Sequence, residues 1–513
     1  MKKRTIAVLA LALLVSTGCA ANANSESSTS DAKTLTVAYS DGGQTLDPAE
    51  ANDLTSDTFA VSAYDQLVTY GTENGKARTD KIVPMLAKSW TVSQDNLTYT
   101  FTLRDDVTFA SSNEFTAQDV VYSFQHIKDS TNGSFLYEMA GITGVTAPDE
   151  HTVTVALGAP NHLFLQILPM YSFSVLDAKT VQANGSDWLA KNTAGSGPYT
   201  VTKWDPASEA VLVRNDRYWG DKPAIGTVDL KFVKEASNRT QLLSNGDVDL
   251  ALEIPAKDVD SLKSASGVTI RSDASNRILY FSLNTTVKPF DNPLVRQAMA
   301  YAVPYDQLIG DVMHGQAKKM TSAVASNTPG WSGDGFAYKH DLTKAKQLLT
   351  QAGYGNGFSF DFLLGSGFDD WNDDAVLIQA ELAKIGVTMN IKNMARAQFL
   401  DAIQQRNVPA FIGKWTSFVN DPGYHLGLLL TTGASSNYGN YSNSTVDADI
   451  KQAAAETDVA KRNTLYAQAQ KQITADAPWL YLYEYNRVVG LHSGVSGYTY
   501  YPDEILRFAE MSK

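Results

Sequence analysis

The chain is poor in cysteine, in clustered histidine and in positive charge, and each shortage removes a class of function. Cysteine occurs once in 513 residues, at Cys19, so neither an intrachain disulfide nor a thiolate metal cluster can form. The seven histidines are scattered without ligand spacing; His425 beside Tyr424 has no second histidine at a metal-binding interval, and no metal or cofactor is expected. Lys and Arg number 42 against 55 Asp and Glu, a formal net charge of -13, and long-range repulsion argues against nucleic acid and anionic lipid as partners. No His-Glu-x-x-His occurs, Ser196 lies between Gly195 and Gly197 without the full Gly-x-Ser-x-Gly elbow, and Gly71 to Lys76 is too short for a phosphate loop. No catalytic residue is therefore assigned; a secreted hydrolase working through a scattered acid-base pair is the alternative from another class.

Extended apolar sequence is scarce too. Ile6 to Val15 is too short to span a bilayer; it follows Lys2, Lys3 and Arg4 and runs into Ser16-Thr17-Gly18-Cys19. Residues 1–18 read as a secretory signal peptide. The arrangement resembles a bacterial lipobox, with Ser16 where Leu is commonest, and the resemblance implies that Cys19 becomes an acylated N-terminus. Residues 19–33, mostly Ser, Asn and Ala, form a flexible tether. The protein is thus expected outside the cytoplasm, at the cell surface or in a periplasm, held to the membrane by lipid alone.

What is present is a globular, aromatic-rich body, 43% hydrophobic with 8 Trp and 24 Tyr, too long for one core. Leu35 to Tyr39 alternates as a strand, the Gly-containing loop Ser40 to Pro48 follows, and Phe59 to Val68 reads as helix. Thr116 to Asp119 is a capping box opening a helix. Val228 to Val233, Asn238 to Leu243 and Val248 to Leu252 form a strand-helix-strand unit and predict a parallel sheet, whose strand ends are where ligands bind. Pro293 starts a helix. Phe358 to Leu364, Ala375 to Ile385, Val387 to Ile391 and Pro409 to Trp415 read strand, helix, strand, strand. The acids Asp369, Asp370, Asp373 and Asp374 lack the glycine of a calcium loop and read as an acidic helix start. Trp479 to Tyr485 returns as a strand.

The stretch Lys414 to Leu426 stands out. It leaves a buried strand and breaks at Asp421-Pro422-Gly423, which sets Trp415, Phe418, Tyr424 and His425 at or beside a strand end as an aromatic wall for a ligand. Gly43 and Thr45 in the first loop and Ser366 beside Gly365 and Gly367 are further binding candidates.

Ordered motifs extend over nearly the whole mature sequence. They are Pro84-x-Leu-Ala-x-Ser-Trp90, Tyr99-Thr-Phe-x-Leu-Arg104, Thr116-Ala-x-Asp-Val120, Gly195-Ser-Gly-Pro-Tyr199, Arg214-Asn-x-x-Tyr-Trp-Gly220, Pro289 to Ala298, Lys344 to Tyr354 and Ala477-Pro478. In this order they resemble the bacterial family 5 extracellular solute-binding proteins, the dipeptide, oligopeptide, nickel and opine receptors of ABC importers.

The resemblance implies an α/β, two-lobed periplasmic-binding-protein-like clamp with an additional α+β subdomain. Lobe I is built from 34–66, 193–275 and 485–513, lobe II from 276–484, and the additional subdomain from 67–192. It also implies a monomer that closes on a small-molecule or peptide solute and presents it, unaltered, to an ABC permease with ATPase subunits. Peptide-binding members carry an Asp three residues after the cleft Trp, where Phe418 stands here, and an Arg near 365–367, where there is none. A solute with masked or uncharged ends, such as a blocked or cyclic peptide or an opine-like conjugate, is accordingly expected, with Asp421 available to replace the lost acid; a nickel chelate is a further alternative.

Overall fold

The computed structural model describes residues 33–513; Cys19, the signal peptide and nearly all of the tether lie outside them. In chain order, β1 (Lys33–Tyr39) opens lobe I. The additional subdomain then supplies a hairpin, β2 (Val68–Glu73) and β3 (Lys76–Pro84). It also supplies a four-stranded antiparallel sheet of β4 (Ala87–Val92), β5 (Thr98–Leu103), β6 (Ile142–Asp149) and β7 (Thr152–Leu157), ordered β4-β5-β7-β6.

Lobe I resumes with β8 (Tyr199–Asp205), β9 (Glu209–Arg214), β10 (Ile225–Phe232) and β11 (Leu250–Leu252), before β12 (Val268–Leu283) crosses into lobe II. There β13 (Ala317–Lys319), β14 (Phe358–Gly365), β15 (Val387–Met394) and β16 (Ala410–Thr416) follow, and β17 (Trp479–His492) crosses back. One sheet joins both lobes, in the order β15-β14-β16-β12-β17-β11-β1-β10-β9-β8, with β13 on β17.

The strand-helix-strand expectation is met with one addition: β10 and β11 are parallel, joined by the helix Ala236–Asn245, and β1 is inserted between them, parallel to both. In lobe II, β14 is parallel to β15 on one side and to β16 on the other. The antiparallel pairing of β16 with β12 and of β11 with β17 turns the carboxyl ends of both parallel sets toward the crossing strands. A cleft between the lobes is therefore lined by strand ends from each side, the place where open α/β sheets hold ligands.

Three helix boundaries differ from expectation. The first helix is Leu54–Ala63, begun by Asp53, whose carboxylate accepts from the Thr55 and Ser56 amides; the chain is extended again by Tyr64, and Val68 starts a strand. The helix expected from Ala375 is Asp369–Ala383, so the acids form its opening turns, where backbone amides and the helix dipole favour them. Asp421-Pro422-Gly423 starts the helix Pro422–Leu429 instead of a loop: Asp421 caps it through the Gly423 amide at 2.7 Å, and Pro422 is at its first turn. The capping box at Thr116 and Asp119 and the helix from Pro293 stand as read.

Much of the motif set is spent on packing. A Cβ on Gly195 would lie 2.0 Å from the Ala63 carbonyl oxygen, and one on Gly197 2.5 Å from the Tyr64 nitrogen, so only glycine lets this segment lie against the end of the first helix. Between them, the Ser196 hydroxyl donates to the buried Asp65 carboxylate at 2.8 Å, and the Trp219 indole donates to the same oxygen at 2.8 Å. Arg104 stacks over that indole at 4.4 Å. Arg296 is buried against two carbonyls, Asp476 and Phe290, at 2.8 and 2.7 Å.

Candidate ligand cleft between the lobes

Trp415 is at the carboxyl end of β16, opposite Ile278 of β12. On the same face of that strand, Gly413 leaves room for the Tyr280 ring, which a Cβ would meet at 2.4 Å; Tyr280 in turn stacks on Trp479 at 3.8 Å. This packing fixes the strand from below. Trp415 remains half-buried above it, 6.3 Å from the Tyr424 ring and 6.5 Å from the His425 ring.

Tyr424 and His425 are both fully buried in the first turns of their helix, so they back the indole. Burial lowers the His425 pKa to about 3, against a small opposing effect of the Ala323 backbone, and keeps its imidazole neutral. Its Nδ1 is 2.7 Å from the Ser417 hydroxyl. Among the described residues no group of three or more His, Cys, Asp or Glu side chains is placed to hold a metal.

Phe418 meets Tyr171 of the additional subdomain edge to face at 6.2 Å. Beside it is a cavity of about 120 Å³ also lined by Ala51, Met170 and Ser172. Asp421 is occupied on both oxygens: one caps its helix, and the other is 3.2 Å from His162 Nε2. Gly43, at φ +74°, and Thr45 fold back over the first helix, where the Ser56 hydroxyl oxygen accepts from the Thr45 amide at 3.2 Å and the Thr45 hydroxyl oxygen accepts from the Asp47 amide. Ser366 is exposed just past β14, its amide bonded to the Met394 carbonyl at 2.8 Å. The structure thus gathers Trp415, Tyr424 and His425 into one wall, places Phe418 and Asp421 on the subdomain side and Ser366 on the lobe II rim, and sets Gly43 and Thr45 in the lobe I loop.

Some of the buried polar atoms that find no protein partner are on the crossing strand β12 and the residues paired with it. They include the Trp415 indole nitrogen, the Asn276 side-chain oxygen, the Arg277 Nε and one Glu504 oxygen. Buried polar groups in folded proteins are nearly always paired, so such a group of orphans marks a surface suited to a bound molecule.

Charges that sequence reasoning did not single out lie here as well. Arg277 is paired with Glu504, and Arg487 is 3.8 Å from the same carboxylate. Burial opposes the Glu253 charge, but the Ser40 hydroxyl and Arg487, Arg277 and Arg239 outweigh it and hold its pKa below the usual range. Glu253 directly follows β11 in the left-handed region, at φ +52°, a conformation a non-glycine residue keeps only where its surroundings enforce it. Its position beyond a strand end was a usable signal; the lone lysine before Trp415, read as strand interior, was not.

Similarity to known proteins follows this geometry. The pattern of "Bacterial extracellular solute-binding proteins, family 5 Middle" matches residues 81–437. The chain belongs to that family. This solute-binding protein is 30% identical over 482 residues to the probable D,D-dipeptide-binding periplasmic protein DdpA of Escherichia coli K12, covering 92% of each. It is also 30% identical to heme-binding protein A of Haemophilus influenzae, over 98% of its own length and 97% of the relative's. Among solved structures, the periplasmic binding protein DppA of Helicobacter pylori in complex with the peptide STSA superposes with a TM-score of 0.83, at 30% identity, over 93% of this chain and 98% of the other. The two-lobed fold expected from the motifs is the fold found. No helix among the described residues is long and apolar enough to cross a membrane.

Proposed function

We propose that this solute-binding protein captures a peptide or peptide-like solute in the inter-lobe cleft beside Trp415 and delivers it intact to the permease of an ABC importer. The observation that carries the reading is the buried, unpaired indole nitrogen of Trp415 at the carboxyl end of a lobe II strand, beside the crossing strand β12. Relatives whose names specify a dipeptide and a bound peptide support the peptide class. In this reading 34–66, 193–275 and 485–513 move as one lobe and 276–484 as the other, with solute shifting the population toward the closed form.

Acylation of Cys19 would keep the receptor at the membrane. A Cys19→Ser chain recovered in the soluble fraction, where the parent remains with membranes, supports the anchor; equal partitioning rejects it. Native mass spectrometry of freshly purified protein tests the capture step: a small mass released unchanged on denaturation, and lost in Trp415→Ala, is expected. A solute that is cleaved on incubation with the protein would instead favour a hydrolase.

A further inference from the structure

Lys414 precedes Trp415 at the carboxyl end of β16, paired with Leu279 of β12. Its ammonium is 4.3 Å from the centroid of the Phe368 ring and 5.9 Å from that of Trp371. Those two rings stack on each other at 4.2 Å, just past β14 and at the head of the helix Asp369–Ala383. Arg396, just past β15, extends its guanidinium over the same pair, 5.1 Å from Phe368 and 5.6 Å from Trp371. The ends of the three parallel strands of lobe II thus meet in one aromatic shelf carrying two cations.

Neither cation has a carboxylate within 4.0 Å among the described residues. The acids nearby are engaged elsewhere: Asp370 accepts from the Tyr485 hydroxyl at 2.6 Å, Glu253 is 3.8 Å from Arg239, and Glu504 takes Arg277 and Arg487. Burial, with the repulsion of Arg277 and Arg396, lowers the Lys414 pKa to about 8 despite Asp370 and Glu253. Lys414 is half-buried and Arg396 exposed beside it; a partly desolvated ammonium with no carboxylate partner among the described residues is costly unless an anion arrives from outside. The aromatic faces offset part of that cost while leaving the donors free.

We infer that Lys414 and Arg396, spread over the Phe368–Trp371 shelf, bind a carboxylate of the solute, which makes that solute a peptide or peptide-like molecule with a free acid end. The inference rests on the cleft reading above. It supplies the charge missing at 365–367 from a different strand, and it replaces the expectation of a masked carboxyl end. A planar guanidinium beside a mobile ammonium suits a carboxylate, which can accept from both.

The test compares D-alanyl-D-alanine and Ser-Thr-Ser-Ala with their C-terminal amides, by thermal shift and calorimetry on the purified protein. The acids are expected to raise the unfolding midpoint and the amides to bind about ten- to a hundredfold more weakly, with Lys414→Met bringing acid and amide to parity. Lys414→Arg should keep the preference for the acid. Lys414→Met should unfold no earlier than the parent without peptide, because it removes an uncompensated charge; that separates lost recognition from lost folding. Amides that bind as tightly as acids would overturn the carboxylate site and leave peptide capture standing. Stabilisation by none of the four probes would count against peptide capture itself, and the carboxylate site would fall with it.

Discussion

His162 and Asp421 are joined across the cleft: Nε2 of the histidine, in the additional subdomain, is 3.2 Å from a carboxylate oxygen of the aspartate in lobe II. The same nitrogen is 3.3 Å from the Tyr466 hydroxyl, and Nδ1 is 3.1 Å from the Ala454 carbonyl oxygen. One imidazole therefore fastens the subdomain to three elements of the opposite lobe. If the lobes part as proposed, these contacts would have to break, so they would weight the closed form whatever the solute.

Replacing this side chain is expected to favour opening. His162→Ala should weaken solute affinity about 5- to 30-fold, the equivalent of about 1–2 kcal/mol of lost hydrogen bonding, while the cleft wall is untouched. Small-angle scattering of the solute-free protein should show a larger radius of gyration than the parent.

The Trp415 indole offers a second test, because ring and N–H can be separated. Trp415→Phe keeps an aromatic face beside Tyr424 but removes the unpaired donor. About tenfold weaker solute binding by calorimetry is expected, and a far larger loss for Trp415→Ala, with the unfolding midpoint of the Phe variant close to the parent's.

Asp65 makes a prediction about pH. Burial, opposed by the bonds from Trp219 and Ser196, raises its pKa to about 6 from an ordinary value of 3.8. The folded state then holds a proton that the unfolded state has released between pH 4 and 6, so this group's contribution falls as pH rises through that window, by up to about 1.4 kcal/mol per unit. Above pH 6 the full cost of the buried charge is present. Asp65→Asn keeps an acceptor for both donors; denaturant titrations of the two proteins from pH 4 to 8 should show the variant lacking this slope and gaining about 1 kcal/mol at pH 8.

Gly195 tests whether the Gly-Ser-Gly motif serves architecture. Gly195→Ala drives a methyl toward the Ala63 carbonyl, a backbone atom with nowhere to go, and is expected to cost about 3 kcal/mol or more in denaturant unfolding. Ser196→Ala, which removes only a hydroxyl from Asp65, should cost about 1–2 kcal/mol and leave solute binding unchanged.

These residues also explain how much could be read in advance. Elements governed by local rules, such as the capping box at Thr116 and the parallel strands around Ala236–Asn245, were legible because spacing and caps determine them. The motif residues were legible as a family signature, and that signature encodes folding: Gly195, Ser196, Trp219 and Arg296 hold the lobes in shape. Cleft chemistry was less visible. Asp421 read as a free acid but caps a helix, and Tyr424 and His425 read as ligand contacts but are buried behind Trp415. Lys414, Arg396 and Glu253 are 161 positions apart at the extremes, and only the convergence of strand ends from two lobes brings them to one space. No periodicity within a single segment carries that information.

The longest ladder in the sheet, β12 against β17, slips twice, once between Leu279 and Tyr280 and more widely where Ala274 faces Asn486 and Ile278 faces Glu484, so that three residues, Ser275 to Arg277, stand against Tyr485 alone. Both strands thread the two halves of the molecule, so a jaw rotation must twist this ribbon, and the slack segment is its softest point. Arg277 belongs to that segment and is also an electrostatic neighbour of Lys414. If the lobes close as proposed, the segment where the crossing ribbon bends most readily is thus in electrostatic reach of the lysine proposed to meet the solute.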